Sequence, residues 1–99
     1  RVRTLDDLLQ EEDWREQVDL LKLDVQGAEM MVLRGAETSL PSVRMVLSEV
    51  SFRPLYEGSA VFADVYDFLR ERGFHMVSME DAFRGTDGEL LQADVLFSR

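Results

Sequence analysis

The chain has 99 residues, 45% of them hydrophobic and 31% charged, which bounds it to one folded domain with a modest core. Twenty acidic residues against eleven basic ones give a net charge of −9, so a nucleic-acid partner is excluded by repulsion from its phosphates. Without cysteine there is neither a disulfide framework nor a thiolate metal site, and no apolar run makes a membrane span or a secretory signal. A cytoplasmic setting is the expectation. The chain opens on arginine rather than methionine and reads as a piece of a longer protein.

Thr4-Leu5-Asp6-Asp7 reads as a helix start, with Thr4 as cap and the early acids facing the positive end of the helix dipole. Leu5, Leu8 and Leu9 supply a short apolar stripe, Glu11-Glu12-Asp13 a solvated end, and Trp14 a cover for the edge of the core. Val18 to Val25 is too short for an independent helix, and its valine and leucine content suits a strand buried on both faces. Gly27 lets the backbone turn where that strand stops. A short helix follows, with Ala28, Met31 and Val32 on its core face and Gly35 as a left-handed stop.

Leu40-Pro41-Ser42 is a loop, because proline and the residue before it resist helical continuation. Val43 to Val50 is a second buried strand, with Glu49 near its end. The loop Ser51 to Gly58 holds Phe52, Arg53, Pro54, Tyr56 and Glu57, a richer mixture than a connector needs, and reads as substrate-facing. Ser59 is the expected cap of a helix over Ala60 to Arg72, buried through Phe62, Val65, Tyr66 and Leu69 and closed by Gly73. Phe74 to Met79 is a third strand, Glu80 to Glu89 a polar connector with an Asp87-Gly88 turn, and Ala93 to Phe97 a fourth strand, antiparallel to the third. The order of elements says α/β, with a parallel sheet ending in an antiparallel hairpin.

The residues with chemistry to offer are acids at strand ends. Asp24 and Glu29 fall near the carboxyl end of the first strand, and Glu49 ends the second, which is where open α/β sheets place ligands. Two readings stand together: these acids face a ligand, or Asp24 caps the next helix while Glu29 favours its positive end. Lys22 either pairs with a site carboxylate or runs its stem along the sheet to water. His75, at the start of a strand, reads as structural or surface.

The run Val18-Asp19-Leu20-Leu21-Lys22-Leu23-Asp24-Val25-Gln26-Gly27-Ala28-Glu29, followed by Val32-Leu33-Arg34-Gly35-Ala36, resembles the FkbM-type methyltransferases. In that family a lysine-x-aspartate-x-glutamate-glycine-x-glutamate segment ends a central strand, and a leucine-x-glycine-alanine segment closes the next helix. Thr4-Leu5-Asp6, Val46-Leu47-Ser48-Glu49-Val50 and Leu69-Arg70-Glu71-Arg72-Gly73-Phe74 resemble the family's entry, its next strand, and its last helix with the exit from it.

The resemblance implies S-adenosylmethionine-dependent methyl transfer on a seven-stranded Rossmann-like sheet, to a small-molecule hydroxyl acceptor on a sugar or natural product. Residues 1–99 would be a single partial domain, the carboxyl-terminal half of that fold, with strands in the order first, second, fourth, third and an antiparallel last strand. The glycine-rich cofactor loop and the ribose-binding acid lie on strands outside this sequence, so the missing amino-terminal half is the implied partner. It also implies catalytic roles for Asp24, Glu29 and Glu49, cofactor contacts from Asp24, Gln26 and Gly27, and no metal. Gln26 stands where the family has glutamate, which leaves one carboxylate fewer. Alone, the chain is expected to be inactive and to self-associate through the unpaired edge of its first strand. The alternative is a non-catalytic α/β assembly or binding module that self-associates. A phosphoacceptor receiver domain would need a hydroxyl where Glu49 stands and an upstream acidic pair.

Overall fold

The computed structural model describes residues 4–11 and 17–99. Its elements run α1 (Leu5–Glu11), β1 (Val18–Leu23), α2 (Glu29–Arg34), a 3₁₀ turn (Leu40–Ser42), β2 (Val43–Ser51), α3 (Phe62–Glu71), β3 (His75–Arg84) and β4 (Leu90–Ser98). The expectations for Glu12, Asp13 and Trp14 lie outside the described residues.

Strand alternation assigns the two faces of the sheet. Leu21 and Leu23 on β1 register with Val46 and Ser48 on β2, which register in turn with Phe97 and Val95 on β4. This face packs against Leu33 of α2 and against Val65, Phe68 and Leu69 of α3, forming one buried cluster completed by Phe74. Burying each such side chain fully is worth about 1.5–3 kcal/mol. The opposite face carries Leu20, Lys22, Met45, Leu47, Glu49, Asp94 and Leu96, and none of these is fully buried.

The strand order is β1-β2-β4-β3, with β1 parallel to β2 and β4 antiparallel to both its neighbours, as expected. Several local expectations are corrected. β1 ends at Leu23 rather than Val25 and is not buried on both faces: it is an edge strand of this sheet, and Leu20 is 47% exposed. α2 buries Glu29 and Leu33 and packs Val32 against the core as expected, while Met31 is 71% exposed and Ala28 only half-buried. The helix starts at Glu29, directly after the Gln26–Gly27 turn, and that onset rotates its core face by one position.

Gly35 is right-handed, with φ −75°, so it is not a left-handed stop. A Cβ there would meet Thr4 side-chain carbons at 3.0 Å, and its carbonyl accepts the Asp6 N–H at 2.9 Å, so close approach of α1 is what requires glycine. The cap of α3 is also corrected. The helix begins at Phe62, the Asp64 carboxylate accepts the Val61 N–H at 3.0 Å, and Ser59 is engaged elsewhere. Gly73 is left-handed as expected: the Phe74 N–H reaches the Leu69 carbonyl at 3.0 Å and the Gly73 N–H the Arg70 carbonyl at 3.1 Å, a Schellman closure. The first half of the expected Glu80–Glu89 connector, Glu80 to Arg84, is strand. The ladder between β3 and β4 continues through exposed polar residues, where apolar alternation fades and the register shifts.

Thr4 caps α1 as expected, its hydroxyl accepting the Asp7 N–H at 3.0 Å, although Leu8 is 41% exposed and lies off the core. The stronger tie is unforeseen. The Asp6 carboxylate accepts the Thr38 N–H at 2.8 Å, the Ser39 N–H at 2.7 Å and the Ser39 hydroxyl. Burial pushes the Asp6 carboxyl up, but these hydrogen bonds together outweigh it and hold the pKa below its ordinary value. A carboxyl lowered on folding stabilises the native state above its unfolded pKa, and that contribution disappears as pH falls through the lowered folded value. Asp6→Ala is therefore expected to cost roughly 1–3 kcal/mol at neutral pH. Urea midpoints of wild type and variant should converge as pH falls from about 5 towards 2. A gap that stays constant over that range would refute the carboxylate's role.

Candidate functional site

The site grows from the end of β1. Val25, Gln26, Gly27 and Ala28 form a tight turn, closed by the Ala28 N–H on the Val25 carbonyl at 3.2 Å. Both central residues are left-handed, Gln26 at φ 42° and Gly27 at φ 94°. A non-glycine residue in that region costs on the order of 1–2 kcal/mol and persists only where its surroundings over-determine it. Here they do. The Glu29 carboxylate accepts the Gly27 N–H at 2.7 Å, and the Gly27 carbonyl accepts the Ala60 N–H at 2.8 Å. The side of Gly27 where a Cβ would project is filled by Ser59 and Tyr56, each with a carbon 2.9 Å from that position.

The loop between β2 and α3 is thereby fastened to the turn. The Ser59 hydroxyl accepts the Leu55 N–H at 2.8 Å and the Tyr56 N–H at 3.3 Å, which folds the loop back on itself. At its start the Phe52 N–H donates to the Leu91 carbonyl at 2.9 Å, and Arg53 forks onto the Glu89 carboxylate. Tyr56, half exposed, lines a groove of about 670 Å³ between α2 and α3 together with Met30, Met31, Arg34, Asp64 and Phe68.

The acids separate into two places. Asp24 and Glu49 share a recess of about 120 Å³ on the open face of the sheet, lined also by Lys22, Leu47 and Asp94. Glu49 and Asp94 are directly opposite in the β2–β4 register, a like-charge pairing that weakens the sheet. Asp24 is exposed, and α2 starts from Ala28 with no side-chain cap hydrogen bond, so the capping role for Asp24 is overturned.

Glu29, by contrast, is 1% exposed and lies beneath the turn. Burial raises its pKa and the negative charge of Glu49 adds to that, against hydrogen bonds from the Gly27 N–H and neighbouring amides. Of the residues expected to touch cofactor, Asp24 and Gln26 are exposed, whereas the N–H and carbonyl of Gly27 are both engaged within the chain. His75 lies at the other end of the sheet, registered with Ser98 and 2.6 Å from the Arg70 guanidinium. Among the described residues no group of His, Asp and Glu is placed to hold a metal ion, and no helix is long and apolar enough to cross a membrane.

Asp94 went unnoticed in the sequence. Its signal is the alternation of Ala93, Val95 and Phe97 inward, which puts Asp94 on the same face as Glu49 once β4 is paired with β2.

The family model described as the methyltransferase FkbM domain matches residues 1–76. The 2-O-methyltransferase NoeI of Sinorhizobium fredii is 36% identical over 90 residues, 91% of this chain and 35% of that protein. The AMB antimetabolite synthetase AmbE of Pseudomonas aeruginosa is 38% identical over 89 residues, 88% of this chain and 4% of that much longer protein. The chain thus spans about a third of the first relative and a small part of the second. No solved structure matches.

Proposed function

This chain belongs to the FkbM methyltransferase domain family, and from that premise we propose that it forms the carboxyl-terminal half of a Rossmann-like catalytic domain that methylates a hydroxyl with S-adenosylmethionine. The acceptor is a small molecule, a sugar or hydroxylated natural product, in keeping with the 2-O-methyltransferase name of one relative. The observation that carries the reading is Asp24: an exposed carboxylate at the carboxyl end of a parallel strand, free of helix capping, sharing a recess with Glu49.

The residues present fit the cofactor's polar groups. Asp24 and Gln26, an exposed carboxylate and an exposed amide just past the end of β1, would hold it through ammonium or hydroxyl groups. When bound, S-adenosylmethionine supplies an electrophilic methyl group on a sulfonium. This chain's part is to hold the acceptor oxygen in line and to take its proton; Asp24 or Glu49 does the latter, in the recess they share.

A second reading applies to the chain on its own. β1 is an exposed edge with apolar Leu20 on its open face, and such an edge pairs with another strand where one is offered. The glycine-rich loop implied for the cofactor has no counterpart in this sequence, so the chain alone self-associates and does not bind S-adenosylmethionine.

The test uses methyl-labelled S-adenosylmethionine with the intact protein and a panel of sugars and hydroxylated peptides, beside calorimetry and sedimentation of the 99-residue chain. The expected result is label transfer to a hydroxyl by the intact protein, and an oligomer without cofactor affinity from the chain. A stable monomeric chain that binds the cofactor at micromolar concentration would overturn the half-domain reading. An intact protein that neither binds the cofactor nor transfers label would overturn the methyltransferase reading.

A further inference from the structure

We propose that Glu29 is a positioning residue: its carboxylate, sealed from water beneath the β1–α2 turn, holds the left-handed Gln26–Gly27 peptide and so fixes where Asp24 and Gln26 stand. The inference rests on the reading of this strand end as the cofactor and acceptor end, and it moves Glu29 out of the group of side chains that touch reactants.

Three observations carry it. Glu29 is 1% exposed, so its carboxylate does not reach a ligand in the recess, and one of its oxygens already accepts the Gly27 N–H at 2.7 Å. Gly27 is itself buried, so without that acceptor its N–H would be left unpaired away from water. Gln26 is held at φ 42°, a conformation that relaxes unless the following peptide is fixed. Burying a carboxylate is unfavourable, and an apolar residue at this helix position would pack more cheaply against Leu33. What the carboxylate supplies is turn geometry.

The same glycine is gripped from the other side. Its carbonyl accepts the Ala60 N–H, and Ser59 and Tyr56 close over the glycine, so the loop bearing Tyr56 and the strand end bearing Asp24 are set relative to each other through one residue. Glu29 is the only side chain among these contacts that hydrogen-bonds the Gly27 peptide.

The experiment compares Glu29→Gln, which keeps an oxygen acceptor at the same reach, with Glu29→Leu, which keeps bulk without an acceptor, and Glu29→Asp, which keeps the charge but is a methylene too short. Hydrogen exchange of the segment Val25–Ala28 and calorimetric binding of S-adenosylmethionine are measured in the intact protein. The expected result for Leu and Asp is exchange faster by about 10-fold or more and affinity weaker by a similar factor, the scale of one lost hydrogen bond to a charged group. Glu29→Gln should stay within about threefold of wild type in both, since it retains the acceptor.

If Gln is as impaired as Leu, the charge itself is in use and the positioning role is wrong. If Leu and Asp exchange and bind like wild type, the turn does not depend on Glu29 and the proposal falls. Should Glu29→Leu fail to fold, the Gln and Asp pair alone decides it. An intact wild-type protein that binds no cofactor would defeat the methyltransferase reading, while the exchange data would still judge the turn.

Discussion

Asp24→Asn in the intact protein is expected to lower methyl-transfer turnover by roughly 10²–10⁴-fold, the range for removing a positioned acid–base group. The substitution preserves shape and removes only the negative charge. Stability should stay within about 0.5 kcal/mol of wild type, because Asp24 is exposed and α2 draws no cap hydrogen bond from a side chain. The two readouts are label transfer from S-adenosylmethionine and the thermal midpoint. A midpoint that drops while turnover is kept would restore the structural role. Glu49→Gln is the companion variant, because Glu49 shares the recess with Asp24 and is half-buried. If turnover is lost at Asp24 and kept at Glu49, Asp24 is the residue that takes the acceptor proton.

Much of the architecture was legible in the sequence, and for identifiable reasons. The β2 strand was found because it is an inner strand of the sheet, between β1 and β4, where burial enforces the apolar pattern. The hairpin order came from the family resemblance rather than from periodicity, and the sheet has that order. What failed was local geometry set by contacts distant in sequence. The face of α2 could not be read because its rotation depends on a turn in which Gln26 is left-handed, and nothing in a glutamine announces that. Ser59 looked like a cap, but its hydroxyl serves the Leu55 and Tyr56 amides and Asp64 takes the capping work.

The same holds for the anchors at the far end of the sheet. Arg99 spreads its guanidinium over the carbonyls of Leu40, Val43 and Arg72 at 2.7–2.9 Å and lies above the Phe74 ring, joining segments that sequence order keeps apart. In the site itself, Asp24 and Glu49 were visible as acids at strand ends. Their convergence required only parallel pairing of β1 and β2. Glu29 was visible too, but not its direction. Its place at the first position of α2 turns it under the strand end, where the Gly27 N–H is waiting for an acceptor.

Gly27→Ala is expected to be the most damaging conservative change to the fold, at about 2–5 kcal/mol. One part is conformational: at φ 94° an alanine pays on the order of 1–2 kcal/mol that glycine does not. The other is steric, because the new methyl would lie 2.9 Å from carbons of both Ser59 and Tyr56, and forced overpacking typically costs about 1–3 kcal/mol. Ser59 cannot give way cheaply, since its hydroxyl holds the Leu55 and Tyr56 amides and its neighbour Ala60 donates to the Gly27 carbonyl. Gly58 provides the control. It has φ 81° but open space around its Cβ direction, so Gly58→Ala carries the conformational part alone. Urea unfolding of both variants separates the two contributions. If Gly27→Ala costs no more than Gly58→Ala, the loop does not press on the turn, and the coupling of Tyr56 to the strand end through Gly27 is lost with it. If the excess appears, the loop that carries Tyr56 and the Asp24 strand end are mechanically one unit, joined at a residue where only a hydrogen atom fits.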